Sequence, residues 1–558
     1  MKLVRQVVAV LVLASIFAAC GSDGSNDSNE EGTETGNTNS DDMDSGDTES
    51  DVPIPDNYYS VTVNGKAVPV ERISKFVVPV NYVTLDYPGE SLDIEITPKE
   101  SFTDYTLSPK SRNIGETSTG ESLSFAIDAP IYMVLQIPNQ ERLFILIDPP
   151  EDNPPSLDDP DVKSIMDYDG VDNTGETDLT EIIQSAIDEA SGADQNILYF
   201  PPGIYSTGML RFKDDMTMYL AKGAILQNAT PQASLMKHSE DLVLISEGCS
   251  ESFLVMKGVT NAKLIGRGVV DGNGVDIRSY NRKQFNIKIE DSTDCVVEGI
   301  VSRDAPFWNT FTYRSDNITI ENYKVINNRL DGEYNETDGV DFGNTTNSKL
   351  YNAFLYTGDD CMAVKSDDIP DDEPVSGIID PSTGPVMELA DCSHEKVICF
   401  SGSAGCKIGT KTFGHKITNM HWKDVDVITA DRAIVIDAVD TATITGTVFE
   451  DIRVEHAGGR LIDFNMDKTS LFWRTTPGTC TVNDTIVKNV SSDSNAECRL
   501  TGVLHDWDET DPLYGNAYYY NGISFENFSI EGNVINSLDD PNAKFNTDDY
   551  VTDVTFAD

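Results

Sequence analysis

The chain is poor in positive charge. Its 558 residues hold 40 Lys and Arg against 94 Asp and Glu, a formal net charge of −54. That shortage excludes a nucleic-acid binder, which needs a basic face to collect phosphates, and a polybasic protein that docks on anionic lipid. Long hydrophobic runs are also missing. One apolar run, from Val7 to Phe17, stands out, and it is too short to cross a bilayer as a helix. The nine cysteines form no CxxC pair, which argues against a zinc site of that type.

What is present begins at the N-terminus. Lys2 and Arg5 precede the apolar run, the pattern of a secretory signal over residues 1–20. Residues 21–56 carry twelve acidic side chains and no basic ones, so they read as a disordered, self-repelling tether. The signal ends in Phe17-Ala18-Ala19-Cys20, which resembles a bacterial lipobox. The resemblance implies cleavage before Cys20 and lipidation of its thiol, with Gly21 pointing to the outer membrane. The expectation is an exported lipoprotein, a monomer at the cell surface or facing the periplasm, touching membrane only through lipid. The rest of the chain is acidic too, which suits a salty medium where ions screen repulsion over several Å. Of the other cysteines, Cys392 with Cys399 and Cys480 with Cys498 are plausible disulfides, and stacked free thiols fit equally well.

Residues 57–149 alternate short β runs with turns, such as Tyr59-Ser60-Val61-Thr62-Val63 before the hairpin signal Asn64-Gly65. They predict a small β-sandwich, an accessory domain that gathers no catalytic residue types. Pro149-Pro150 and Pro154-Pro155 predict a stiff linker over 150–163. One helix is clear: Leu179, Ile182, Ile183, Ala186, Ile187 and Ala190 share a face, with Asp178 and Glu181 as a capping box. From 164 to 558 short β runs and polar turns recur about every 20–30 residues, as in a β-solenoid whose coils bury their inside faces. The fold class is therefore all-β, a parallel β-helix after a β-sandwich, with the helix capping the open end.

The chemistry concentrates in two segments. Residues 335–341 read Asn-Glu-Thr-Asp-Gly-Val-Asp and residues 358–361 read Gly-Asp-Asp-Cys. Asp338 precedes Asp359 and Asp360 by about one coil, so the three carboxylates should crowd one patch on strands about 4.8 Å apart. Their repulsion raises at least one pKa toward that of a general acid, and paired carboxylates are the machinery of sugar hydrolysis. Asp-Asp and Asp-Gly are each common in surface turns. The coil-length offset and the apolar strand Met362-Ala363-Val364 favour the site.

These motifs resemble those of the polygalacturonases, glycoside hydrolase family 28, as do Phe200-Pro201-Pro202-Gly203 and Gly266-Arg267-Gly268-Val269-Val270-Asp271-Gly272-Asn273-Gly274. The resemblance spans about residues 164–530 and implies a right-handed β-helix acting on a polysaccharide, with no metal and no cofactor. It implies Asp359 as general acid, and Asp338 with Asp360 activating water for inversion. Departures matter as well. The family's glycine-rich third motif aligns with Ser403–Thr410 and has Ala404 in place of its His. The Arg-Ile-Lys that grips a galacturonate has no counterpart near Arg432-Ala433-Ile434-Val435-Ile436-Asp437. The candidate substrate-binding residues are thus Asp341, Lys407, Arg432 and Asp437, and pectic, neutral and sulfated galactans all stay open. A dextranase-like hydrolase, a polysaccharide lyase and a non-catalytic carbohydrate-binding surface protein are the alternatives. Residues 366–396 predict a loop beside the cleft. Trp308, Tyr313 and Tyr518-Tyr519-Tyr520 offer faces for sugar rings or for packing.

Overall fold

The computed structural model describes residues 58–229, 252–279, 282–328, 336–366, 388–412, 416–440, 442–466, 480–504, 506 and 514–557. Cys20, the tether, Cys249 and most of the expected cleft loop lie outside them. Residues 59–148 form two five-stranded sheets. Asn64 and Gly65 both take positive φ, the turn that lets Tyr59–Val63 pair back onto Lys66–Val68. Alternation does the rest: in Leu92–Pro98 every second residue, including Leu92, Ile94 and Ile96, faces the sandwich core.

The larger part is a parallel β-helix that joins 34 strands into one continuous pairing order. Its register shows how a coil is built. Thr310–Tyr313 pairs with Val340–Gly343, which pairs with Met362–Ser366, then with Ala404–Thr412 and with the second half of His421–Asp437. Val340 lies beside Met362, so one coil here is 22 residues. Asn residues at corners take left-handed φ, which their short side chains tolerate. They also stack, with the Asn352 amide donating to the Asn322 carbonyl at 2.7 Å. Inside the coils an aromatic row runs through Phe342, His394, Trp422, Phe449, Phe464 and Tyr520.

The helix Thr180–Ala190 turns Ile183, Ala186, Ile187 and Ala190 onto the end of this core. Its cap differs from expectation. Leu179 is the N-cap, and Asp178 accepts from the Thr180 amide at 3.0 Å, so the helix starts one residue late for a capping box with Glu181.

The sandwich is not a free accessory domain on a linker: residues 56–558 form one compact unit. Tyr82, Tyr132, Phe144 and Leu146 pack against Val301, Phe354, Tyr356 and Phe400 of the solenoid, and the first solenoid strand, Val162–Ser164, begins inside the expected linker. The disulfide differs as well. Cys399 bonds Cys361, not Cys392, because across a coil the neighbour in space is 38 residues away in sequence. Cys392, Cys480 and Cys498 are free and buried.

Candidate active site

The register fixes the floor of one outer sheet face. Phe311, Asp341, Ala363, Lys407, Val435, Asp463 and Arg499 lie side by side on successive strands. Side chains two apart on a strand share a face, which adds Lys365 beside Ala363 and Asp437 beside Val435. Asp338 and Asp360 precede neighbouring strands by the same two residues. The Gly339 amide donates to the Asp360 carbonyl at 2.9 Å, so these two acids stack one coil apart. Asp338-Gly339 is no surface turn: a Cβ on Gly339 would sit 2.4 Å from the Cys361 carbonyl oxygen. Only glycine permits that approach.

Asp338, Asp359 and Asp360 are all buried, at 1%, 4% and 3% exposure. Thr357 and Ser401 donate to the Asp359 carbonyl at 2.7 and 2.6 Å, which fixes its backbone. Burial, with the charges of Asp338 and Asp360, raises the Asp359 pKa well above the carboxylate range. Asp360 goes the other way. Burial alone would raise it, but Lys407, Lys365 and Arg432 outweigh burial and hold it to about 2. Its oxygens accept from the Ala404 amide at 3.0 Å and the Lys407 ammonium at 2.7 Å. The residue standing where the family has His thus contributes its backbone.

Asp338 and Asp341 meet at one cation. Lys365 Nζ lies 2.6 Å from an oxygen of each and 3.5 Å from the centre of the Trp308 ring. A single ammonium faces two buried carboxylates here. Burial raises both, Asp338 well above the usual range, with Lys365 opposing the rise and the charge of Asp360 adding to it. Asp338 Oδ1 and Asp341 Oδ1 are buried with no hydrogen-bond partner. Lys365 escaped the sequence reading, although a lysine closing the apolar run Met362-Ala363-Val364 was a usable signal.

Beyond Asp360 the face becomes an ion-pair ladder. Lys407 lies 3.9 Å from Asp437. Arg432 reaches Asp437 at 3.0 Å and Asp463 at 3.2 Å, and Arg499 binds Asp463 at 2.6 Å. All four candidate binding residues therefore sit at the site, with Asp463 and Arg499 as members that sequence reading missed. The aromatic candidates divide. Trp308 and Tyr313 are buried in a cluster with Phe285, Phe307 and Phe311. Tyr520 is internal, donating to the Ile436 carbonyl, and Tyr519 alone is exposed, at 41%.

Residues 243–504 match the family model described as Glycosyl hydrolases family 28. A probable polygalacturonase of Vitis vinifera is 26% identical over 221 residues, 36% of this chain and 44% of its own length. An exopolygalacturonase of Zea mays is 24% identical over 346 residues, 58% of this chain and 75% of its own. Among solved structures, the family 28 exopolygalacturonase of Yersinia enterocolitica superposes with a TM-score of 0.52 at 14% identity, covering 87% of this chain and 98% of that one. Dex49A from Penicillium minioluteum gives 0.53 at 13% identity, covering 89% and 93%. Both show the fold, a right-handed parallel β-helix.

Proposed function

We propose that the chain is a polygalacturonase-like glycoside hydrolase of family 28 that cleaves a polysaccharide with inversion, through Asp359 and Asp360. The observation that carries the reading is the opposite displacement of two adjacent carboxyls. Burial and the neighbouring carboxylates raise Asp359, whereas the cations around Asp360 hold it to about 2, which is the division of labour that acid and base need. Asp359 protonates the leaving oxygen. Asp360, held by Lys407 and the Ala404 amide, takes the proton of the attacking water. Asp338 is raised, not lowered, so it supports the base from beside it, through the Lys365 ammonium that it shares with Asp341. The resemblance had implied equal partnership with Asp360.

Reducing ends released from a polysaccharide by the intact chain, with NMR of the first anomer formed, test this reading. Asp359→Asn should remove the release, and unsaturated uronate products would replace hydrolysis by elimination. The sequence also supports lipidation at Cys20 at the outer membrane. Cys20→Ser should move the protein from the membrane fraction to the soluble fraction, and an unchanged distribution would end that part.

A further inference from the structure

The ladder beyond Asp360 bears on the substrate, and we propose that this part of the groove receives an uncharged sugar. The inference rests on the hydrolase reading and names its substrate class. Lys407, Arg432, Arg460 and Arg499 are the cations here, and Asp360, Asp437, Asp463 and Glu497 the anions. Each cation has a carboxylate of this chain within 3.0 Å, and Asp360, Asp437 and Asp463 are almost fully buried. The eight charges sum to zero. No positive charge among them is left for a ligand.

An arriving carboxylate or sulfate would have to share Arg432 with Asp437 and Asp463, which the coil holds in place, and would meet them as a like charge. The chain's net charge of −54 adds long-range repulsion, weakened by salt but not reversed. A hydroxyl meets no such conflict, because it donates to a free carboxylate lone pair and accepts from a spare guanidinium N–H. Alternating guanidinium and carboxylate along one sheet face offers both partners at the spacing of neighbouring strands. The site is thus built to read hydroxyl groups.

The test is calorimetric titration of the full chain carrying Asp359→Asn, which stops turnover. The probes are oligosaccharides of dextran, neutral galactan and agarose, against oligogalacturonates and sulfated galactan oligosaccharides of equal length. At least one neutral probe should bind about tenfold tighter than any acidic one, a gap of about 1.4 kcal/mol. Adding Asp437→Asn leaves Arg432 short of a counter-charge and should narrow the gap. Equal or tighter binding of an acidic probe overturns the inference, as does binding of neither class or a gap that Asp437→Asn leaves unmoved. The comparison of probes on the Asp359→Asn chain holds even if the second substitution unfolds it. Pectate hydrolysis by the unsubstituted chain would sink the neutral-sugar inference and uphold the hydrolase. Neutral binding without cleavage of any bond would do the reverse.

Discussion

Two clusters of buried charge lie on the outside of the same coils, and they are built to different standards. Where the sandwich docks, the buried acids Asp148 and Asp426 are matched and satisfied. Asp148 accepts from Lys324 at 2.6 Å and from the Tyr132 hydroxyl, and Asp426 accepts from Ser111, Arg112 and Arg453. At the active site Asp338, Asp341, Asp359 and Asp360 share Lys365 and Lys407, and two buried oxygens have no partner. Both clusters cost desolvation. The interface recovers it as attachment, whereas the site leaves part of it standing as displaced pKa values and empty hydrogen-bond positions. Crowded carboxylates that outnumber their cations, not burial alone, set the candidate site apart.

The sharpest way to break this contrast is to delete one acid from the unsatisfied cluster. Asp359→Asn should cut hydrolysis by about 10²–10⁴-fold, the usual worth of a general acid. The melting temperature should stay level or rise, because a crowded carboxyl disappears. A clear fall in melting temperature would make Asp359 a structural residue.

The converse substitution belongs to the interface. Lys324→Met leaves Asp148 with only the more distant Arg267, at 3.9 Å, and breaking a buried pair from one side costs about 3–5 kcal/mol. Urea unfolding should register that loss while the rate per folded molecule is retained. A loss of rate without a loss of stability would erase the distinction between the clusters.

A smaller effect follows at Asp304, an interface acid that is crowded. Burial raises Asp304 to about 6, with Asp271 adding to the rise and Lys75 opposing it. The folded state therefore holds this proton more tightly than the unfolded chain, where the pKa is near 3.8. The contribution is complete below about pH 4 and is lost as pH rises through about 6, up to about 3 kcal/mol. Asp304→Asn should flatten the difference between urea stabilities at pH 4.5 and 7. Parallel slopes in the two proteins would refute the assignment.

How far these clusters were readable from the sequence follows from distance along the chain. The 21- and 22-residue offsets from Asp338 to Asp359 and Asp360 equal one coil, so that stack was legible, and so was the solenoid from recurrent β runs. Lys407, Arg432 and Asp437 were legible as groove residues because motif spacing carries a register. Asp463 and Arg499 were not. Asp463 reaches Arg432, and Arg499 reaches Asp463, from later coils, and coil length varies with each inserted loop, so no fixed offset points to them. The Cys361–Cys399 bond was hidden for the same reason. The docked sandwich was invisible because Tyr82, Phe144 and Phe354 read only as apolar strand positions, and alternation says which side is buried but not against what.

The finest test of the comparison concerns Lys365, the one cation on which both unsatisfied acids converge. It lowers the pKa of Asp338, Asp341, Asp359 and Asp360 alike. With Lys365→Met every one of these carboxyls should titrate higher, so the acid limb of kcat/KM, set by the ionisation of Asp360, moves to higher pH. A shift on the order of one pH unit is expected, since Lys407 still contacts Asp360 directly. The alkaline limb, set by Asp359, should move the same way. Lys365→Arg keeps the charge and should return the profile toward its original position even where its bulk lowers the maximum. A purely structural lysine behaves otherwise: the maximum falls in both variants and neither limb moves. A lower maximum on an unshifted profile would reduce Lys365 to a packing residue on Trp308, and the site's electrostatics would then rest on Lys407 and Arg432 alone.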